Sequence, residues 1–167
     1  MGKYITLWKK EKYIFCYFLG TNEEHRKKAI ELKEKTGYKI VTIPFLDNYV
    51  KEDKNFGDIQ LFDVDTKDVI NYIRNSEYVL TDSFHGTIFS ILNEKKFITF
   101  NRFNSERKNS RNTRIDSLFE LLELKDRRYD GNIFNIERKI DYKTLDMKLE
   151  KLRSESKQFL EEALKDK

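Results

Sequence analysis

The sequence predicts an α/β fold: a parallel sheet wound with helices on both faces. Short apolar runs closed by Gly or Pro alternate with helical stretches of about ten residues or more, the signature of repeated β-α-β units. The first run, Tyr13-Ile14-Phe15-Cys16-Tyr17-Phe18-Leu19, is continuously apolar. That suits a central strand covered on both faces, whereas a half-exposed strand alternates. Composition agrees. The chain has 167 residues, enough for one domain, and Leu, Ile, Val and Phe supply about 29% of them, enough for a core.

Each element follows in order. The 13–19 strand ends at Gly20, and Asn22 caps a helix with Glu23 and Glu24 in its first turn. That helix runs to about Thr36 and stops at Gly37. Tyr38 to Ile43 reads as the second strand, closed by Pro44, and 45–58 as a long polar loop broken by Gly57. Ile59 to Val64 is a short edge strand. Asp65 or Thr66 caps a helix carrying Val69, Ile70 and Ile73 inward. Tyr78 to Thr81 is the next strand, Ser83 to Asn93 a helix, and Lys96 to Phe100 a further strand. A basic loop at 101–113 leads into an amphipathic helix from Ile115 to Leu124. A last helix from Lys143 to about Leu164 carries Leu145, Leu149, Leu152, Phe159, Leu160 and Ala163 at helical spacing, and is expected to dock on the body. Right-handed crossovers make 3-2-1-4-5 the natural strand order. We read residues 1–167 as a single Rossmann-like domain, with 1–11 as a lead-in and 143–166 as a C-terminal helix.

Charge and cysteine usage exclude several classes. The net charge is +4, with basic and acidic residues interleaved, which argues against a general nucleic-acid binder. No apolar run reaches the roughly 20 residues of a membrane span, and the start has no signal-peptide core. Met1 to Thr6 fits the loose myristoylation pattern, a short match that we read as accidental. A single Cys16 excludes a disulfide scaffold and a cysteine metal site, and the sequence predicts a reduced, cytoplasmic protein.

Ligands in such sheets bind beyond the carboxyl ends of the strands. Thr81-Asp82-Ser83-Phe84-His85-Gly86-Thr87 lies at such an end, between strand and helix. The opening N–H groups of that helix and its dipole favour an anion. Gly86 would admit a ligand close to the backbone, Ser83 and Thr87 offer hydroxyls, and His85 offers a proton that titrates near neutral pH. The plainer alternative is that Asp82 or Ser83 only caps the helix and His85 binds nothing. His25, among Glu24, Arg26 and Lys27, is expected to be solvated and idle. Two distant histidines give no metal site. The loop holding Arg102, Arg107, Lys108, Arg111 and Arg114 begins at the same sheet edge. Arg102 follows a strand end and Arg114 starts a helix beside Asn112 and Thr113, so these two are the stronger anion contacts.

The string Tyr78 to Ile91, centred on Ser83-Phe84-His85-Gly86, resembles the signature of the polysaccharide pyruvyltransferase family. Lys96-Phe97-Ile98, Asn101-Arg102 and Asn112 to Leu118 extend the likeness, and Tyr13 to Gly20 with Thr36 to Val41 resemble the family's second half. The likeness covers most of residues 8–128. It implies one Rossmann-like domain of a two-domain, GT-B-like transferase that moves an enolpyruvyl group from phosphoenolpyruvate to a sugar, forming a ketal in polysaccharide biosynthesis. This chain would be the donor-side domain, with His85 as the general acid. Asp82, Ser83, Gly86, Thr87, Arg102 and Arg114 would stand around the anion. The implied partners are phosphoenolpyruvate, a saccharide acceptor, and an acceptor-side domain or another chain; no cofactor or metal is implied. Ser83 stands where many members carry an Arg, so that anion contact is missing or supplied elsewhere. The competing readings are a nucleotide-sugar glycosyltransferase domain and a non-catalytic interaction domain.

Overall fold

A computed structural model describes residues 11–47, 49–102 and 113–165. Its five strands are β1 (Tyr13–Tyr17), β2 (Lys39–Thr42), β3 (Ile59–Gln60), β4 (Tyr78–Thr81) and β5 (Lys96–Thr99). The helices are α1 (Glu23–Thr36), α2 (Thr66–Asn75), α3 (Phe84–Leu92), α4 (Thr113–Leu122) and α5 (Tyr142–Lys165). All strand pairs are parallel, in the order β3-β2-β1-β4-β5, as the sequence predicts. The fold is therefore α/β and Rossmann-like.

Strand alternation divides the core into two layers. Tyr13, Phe15, Val41, Val79 and Phe97 face α2, α3, α4 and the start of α5, meeting Val69, Ile73, Ile91, Phe119 and Leu145. Ile14, Cys16, Ile40, Leu80 and Ile98 face α1 and a 3-10 turn at Ile133–Glu137, meeting Ala29, Leu32, Ile133 and Ile136. Both faces are covered, which is why β1 reads as an unbroken apolar run.

Local differences from the sequence reading have local causes. β1 stops at Tyr17 because the N–H groups of Leu19 and Gly20 turn to the Asp82 carboxylate. β3 has only two residues, because Asp63 takes a left-handed backbone (φ 55°) that no strand continues through. The 45–58 loop contains a 3-10 helix at Lys51–Asn55. Ile70 is half-buried, and Tyr72 fills the inward position beside Val69 and Ile73. α4 starts at Thr113 and ends at Leu122, before Glu123 with φ 57°. Arg128 pairs with Thr99 in a single isolated parallel bridge beyond β5 that no apolar run announces.

The last helix docks over its first half alone. Leu145 is buried, and Tyr142, Leu149 and Leu152 pack against the same core layer. From Arg153 onward every described residue is exposed, including Phe159, Leu160 and Leu164. The apolar stripe outruns the surface available to it. No helix among the described residues is long and apolar enough to cross a membrane.

Candidate functional site at the carboxyl edge of the sheet

The carboxyl ends of β1, β4 and β5 meet in one hydrogen-bonded cluster. Asp82, just past β4, is 2% exposed, and its two oxygens accept the N–H groups of Leu19 (2.7 Å) and Gly20 (2.9 Å). Arg26 holds the same turn from the other side, donating to the carbonyls of Gly20 (3.2 Å) and Asn22 (3.1 Å). The guanidinium is fixed in turn by Asp53 Oδ1, 2.7 Å from Nε and 2.6 Å from Nη2. A β-carbon on Gly20 would lie 2.7 Å from Asp82 Oδ2 and 3.2 Å from Arg102 Cγ, so the turn is wedged between them.

The strand-to-helix turn after β4 is built more tightly than an open ligand loop. Ser83 caps α3, its hydroxyl accepting the Gly86 N–H at 3.4 Å, while its own N–H donates to Thr81 Oγ1 at 3.0 Å. Thr87 is fully buried; its hydroxyl donates to Ser83 O (2.9 Å) and meets Thr99 Oγ1 (2.9 Å), and its N–H donates to Ser83 O. A β-carbon on Gly86 would fall 2.4 Å from Thr81 Oγ1 and 3.0 Å from Tyr17 Cδ1. These observations give the turn residues partners inside the fold. Asp82, Ser83 and Thr87 have side-chain oxygens engaged within the turn, and Gly86 admits Thr81 and Tyr17 closely. The opening N–H groups of α3 are the backbone donors at this turn that the helix itself does not pair.

His85 is exposed on the first turn of α3. Arg114 starts α4 with its guanidinium 5.1 Å from the centre of the Phe84 ring, so it reaches the same turn. An open groove of about 380 Å³ beside them is lined by Phe84, Thr113, Arg114, Ser117, Leu118 and Leu121. Arg102 forms an ion pair with Asp47, on the loop after β2. Arg107, Lys108, Arg111 and Asn112 lie outside the described residues.

Three residues that the sequence reading passed over, Tyr17, Asp47 and Arg26, belong to this region, as does His25, which it read as solvated. Tyr17 ends β1 beside Gly86; burial pushes its phenol above the ordinary value, and the Asp47 and Asp82 carboxylates push the same way. A position at the carboxyl end of the central strand is itself a signal for a site. Asp47 and Arg26 carry no such signal. His25 is a correction: only 3% exposed, it packs at a tilt against Phe100 (4.5 Å between centres), and its Nδ1 sits 3.6 Å from Asp82 Oδ2. Its spacing with Ala29 and Leu32 (i, i+4, i+7) places it on the buried stripe of α1, a pattern its charged neighbours obscure. Among the described residues no three His, Cys, Asp or Glu side chains gather as a metal site.

Compared with known proteins, residues 3–105, more than half of the chain, match the family model for polysaccharide pyruvyl transferase. No curated protein matches the chain, and neither does any solved structure.

Proposed function

Since the chain belongs to the polysaccharide pyruvyl transferase family, we propose that its carboxyl-edge site binds phosphoenolpyruvate and moves the enolpyruvyl group to a saccharide, forming a ketal. The observation that carries this reading is the placing of His85. It is the exposed titratable group on the first turn of a helix whose first N–H groups have no intrahelical acceptor, with Arg114 over the ring of its neighbour Phe84. Arg102 stands across the wedged Gly20 turn, on the adjoining strand end.

The chemistry follows from the substrate. The His85 imidazolium delivers a proton to the methylene carbon of the enol, leaving positive charge at the phosphate-bearing carbon. A sugar hydroxyl adds there and releases its proton. The carbon–oxygen bond to phosphate then breaks, inorganic phosphate leaves, and a second hydroxyl closes the ketal. General acid catalysis of the first step is worth typically ~10²–10⁴-fold. The helix amides and the arginines hold phosphate and carboxylate. Asp82 and Arg26 contribute rigidity: by fixing both amides and carbonyls of the 19–22 turn, they keep the floor of the site in one geometry. The donor-side role of this chain and its cytoplasmic setting belong to the same proposal.

Titration with phosphoenolpyruvate tests it. Nearby negative charge favours imidazolium, so binding should move the His85 ring signals and raise its pKa, and should shift the amides of Phe84 and His85. Millimolar phosphoenolpyruvate that moves none of these refutes the reading. His85→Asn, which can donate but not titrate, should keep donor binding and abolish transfer.

A further inference from the structure

We propose that Phe45 and Tyr49 form a shelf on which a pyranose ring of the saccharide acceptor stacks, a reading that rests on the proposed pyruvyl transfer. The loop leaves the carboxyl end of β2 at Pro44, on the edge where the donor site lies. The two rings are stacked, 5.4 Å between centres with 11° between their planes, and Tyr49 is 72% exposed. A core aromatic would not leave a whole ring in water. Phe45, half-buried, backs the exposed Tyr49 ring.

The shelf is anchored. Phe45 has a left-handed backbone (φ 58°), uncommon for a bulky residue and sustained only where its surroundings fix it. The fixing comes from its N–H, which donates to Asp53 Oδ2 at 3.1 Å. Asp53 is the carboxylate clamped by Arg26, which also binds the Gly20 carbonyl of the donor-site turn. Between the two rings in sequence, Asp47 pairs with Arg102. One network therefore joins the shelf to the floor of the donor site by two routes.

The chemistry of the shelf suits a sugar. A pyranose has one face of C–H bonds, weakly positive, and a rim of hydroxyls. The negative face of an aromatic ring attracts the former. The Asp47 carboxylate, itself partly exposed, accepts hydrogen bonds from the latter. A ring seated there lies on the loop whose Asp47 pairs with Arg102.

The test uses the full chain, with methyl β-galactopyranoside, methyl α-mannopyranoside and methyl N-acetyl-β-glucosaminide as probes of the Tyr49 and Phe45 ring signals by NMR. At least one glycoside should shift both rings. Tyr49→Phe should bind it equally, because stacking needs no hydroxyl, whereas Tyr49→Ala should weaken it about three- to tenfold with an unchanged melting curve. The proposal is overturned if no glycoside moves the rings, if Tyr49→Ala binds as well as the parent, or if uridine diphosphate moves them and no glycoside does. Titrating the same sample with phosphoenolpyruvate separates the two readings. A response at His85 with silent rings sinks the shelf alone, and responding rings with a silent His85 sink the donor assignment alone.

Discussion

Replacing Gly86 with Ala separates a packing role from a ligand-access role. Gly86 lies in ordinary helical backbone, so Ala meets no conformational penalty there and brings a helix-propensity gain of about 1 kcal/mol. Space opposes it. The new methyl would stand 2.4 Å from Thr81 Oγ1, 3.1 Å from Thr81 Cβ and 3.0 Å from Tyr17 Cδ1. Thr81 Oγ1 has no room to yield, because it donates to Tyr17 O at 2.7 Å and accepts the Ser83 N–H at 3.0 Å. Overpacking of this kind costs about 1–3 kcal/mol, and each hydrogen bond broken to relieve it about 1 more. The balance is a loss of about 2 kcal/mol. For a chain of this size that lowers Tm by about 4–8 °C, measurable by calorimetry at neutral pH. A Tm equal to or above the parent's would refute the packing account and return Gly86 to the role of a ligand gate.

The half-docked last helix should show two regimes: deleting residues 154–167 should leave Tm nearly unchanged, whereas deletion after Tyr142 or Leu145→Ala should lower stability, the point substitution by about 2–5 kcal/mol in a denaturant melt. Equal effects of the two truncations would contradict this. Glu137 accepts from Lys96 Nζ at 2.7 Å and from the Tyr78 hydroxyl, and these two partners hold its carboxyl below the usual range. A lowered folded-state pKa means that its stabilisation is complete above the unfolded value of about 4.3 and fades as the pH falls through the folded one. Acid melts should therefore show the parent losing more stability than Glu137→Gln between about pH 5 and about pH 3; parallel curves would contradict the assignment.

The sheet was legible because a doubly covered parallel strand leaves a plain trace. Tyr13 to Leu19 must be apolar on both sides, and Gly20, Gly37 and Pro44 mark where the chain turns. The carboxyl edge where the candidate site stands was legible for the same reason, since it follows from strand order. What each residue does there was not. Ser83, Gly86 and Thr87 look like ligand groups in one dimension, yet Thr81, Tyr17 and Thr99 pack against or bond them, and those partners lie 2 to 69 positions away in sequence. His25 was misjudged because charged neighbours on a helix say little about the one position in four that points inward. Asp47 and Arg26 act through loops whose geometry no periodicity encodes.

The two histidines of the chain have opposite surroundings: His25 is sealed among Phe18, Phe100 and Asp82, and His85 stands in solvent. Toward imidazole-directed reagents the folded protein thus behaves as a single-histidine molecule. Carbethoxylation of the native chain is a stoichiometric label for one side chain, its pH dependence is that of one group, and the second equivalent reacts only as the fold opens. The order of modification is then a clock for global unfolding, running in the same tube as any occupancy measurement at His85.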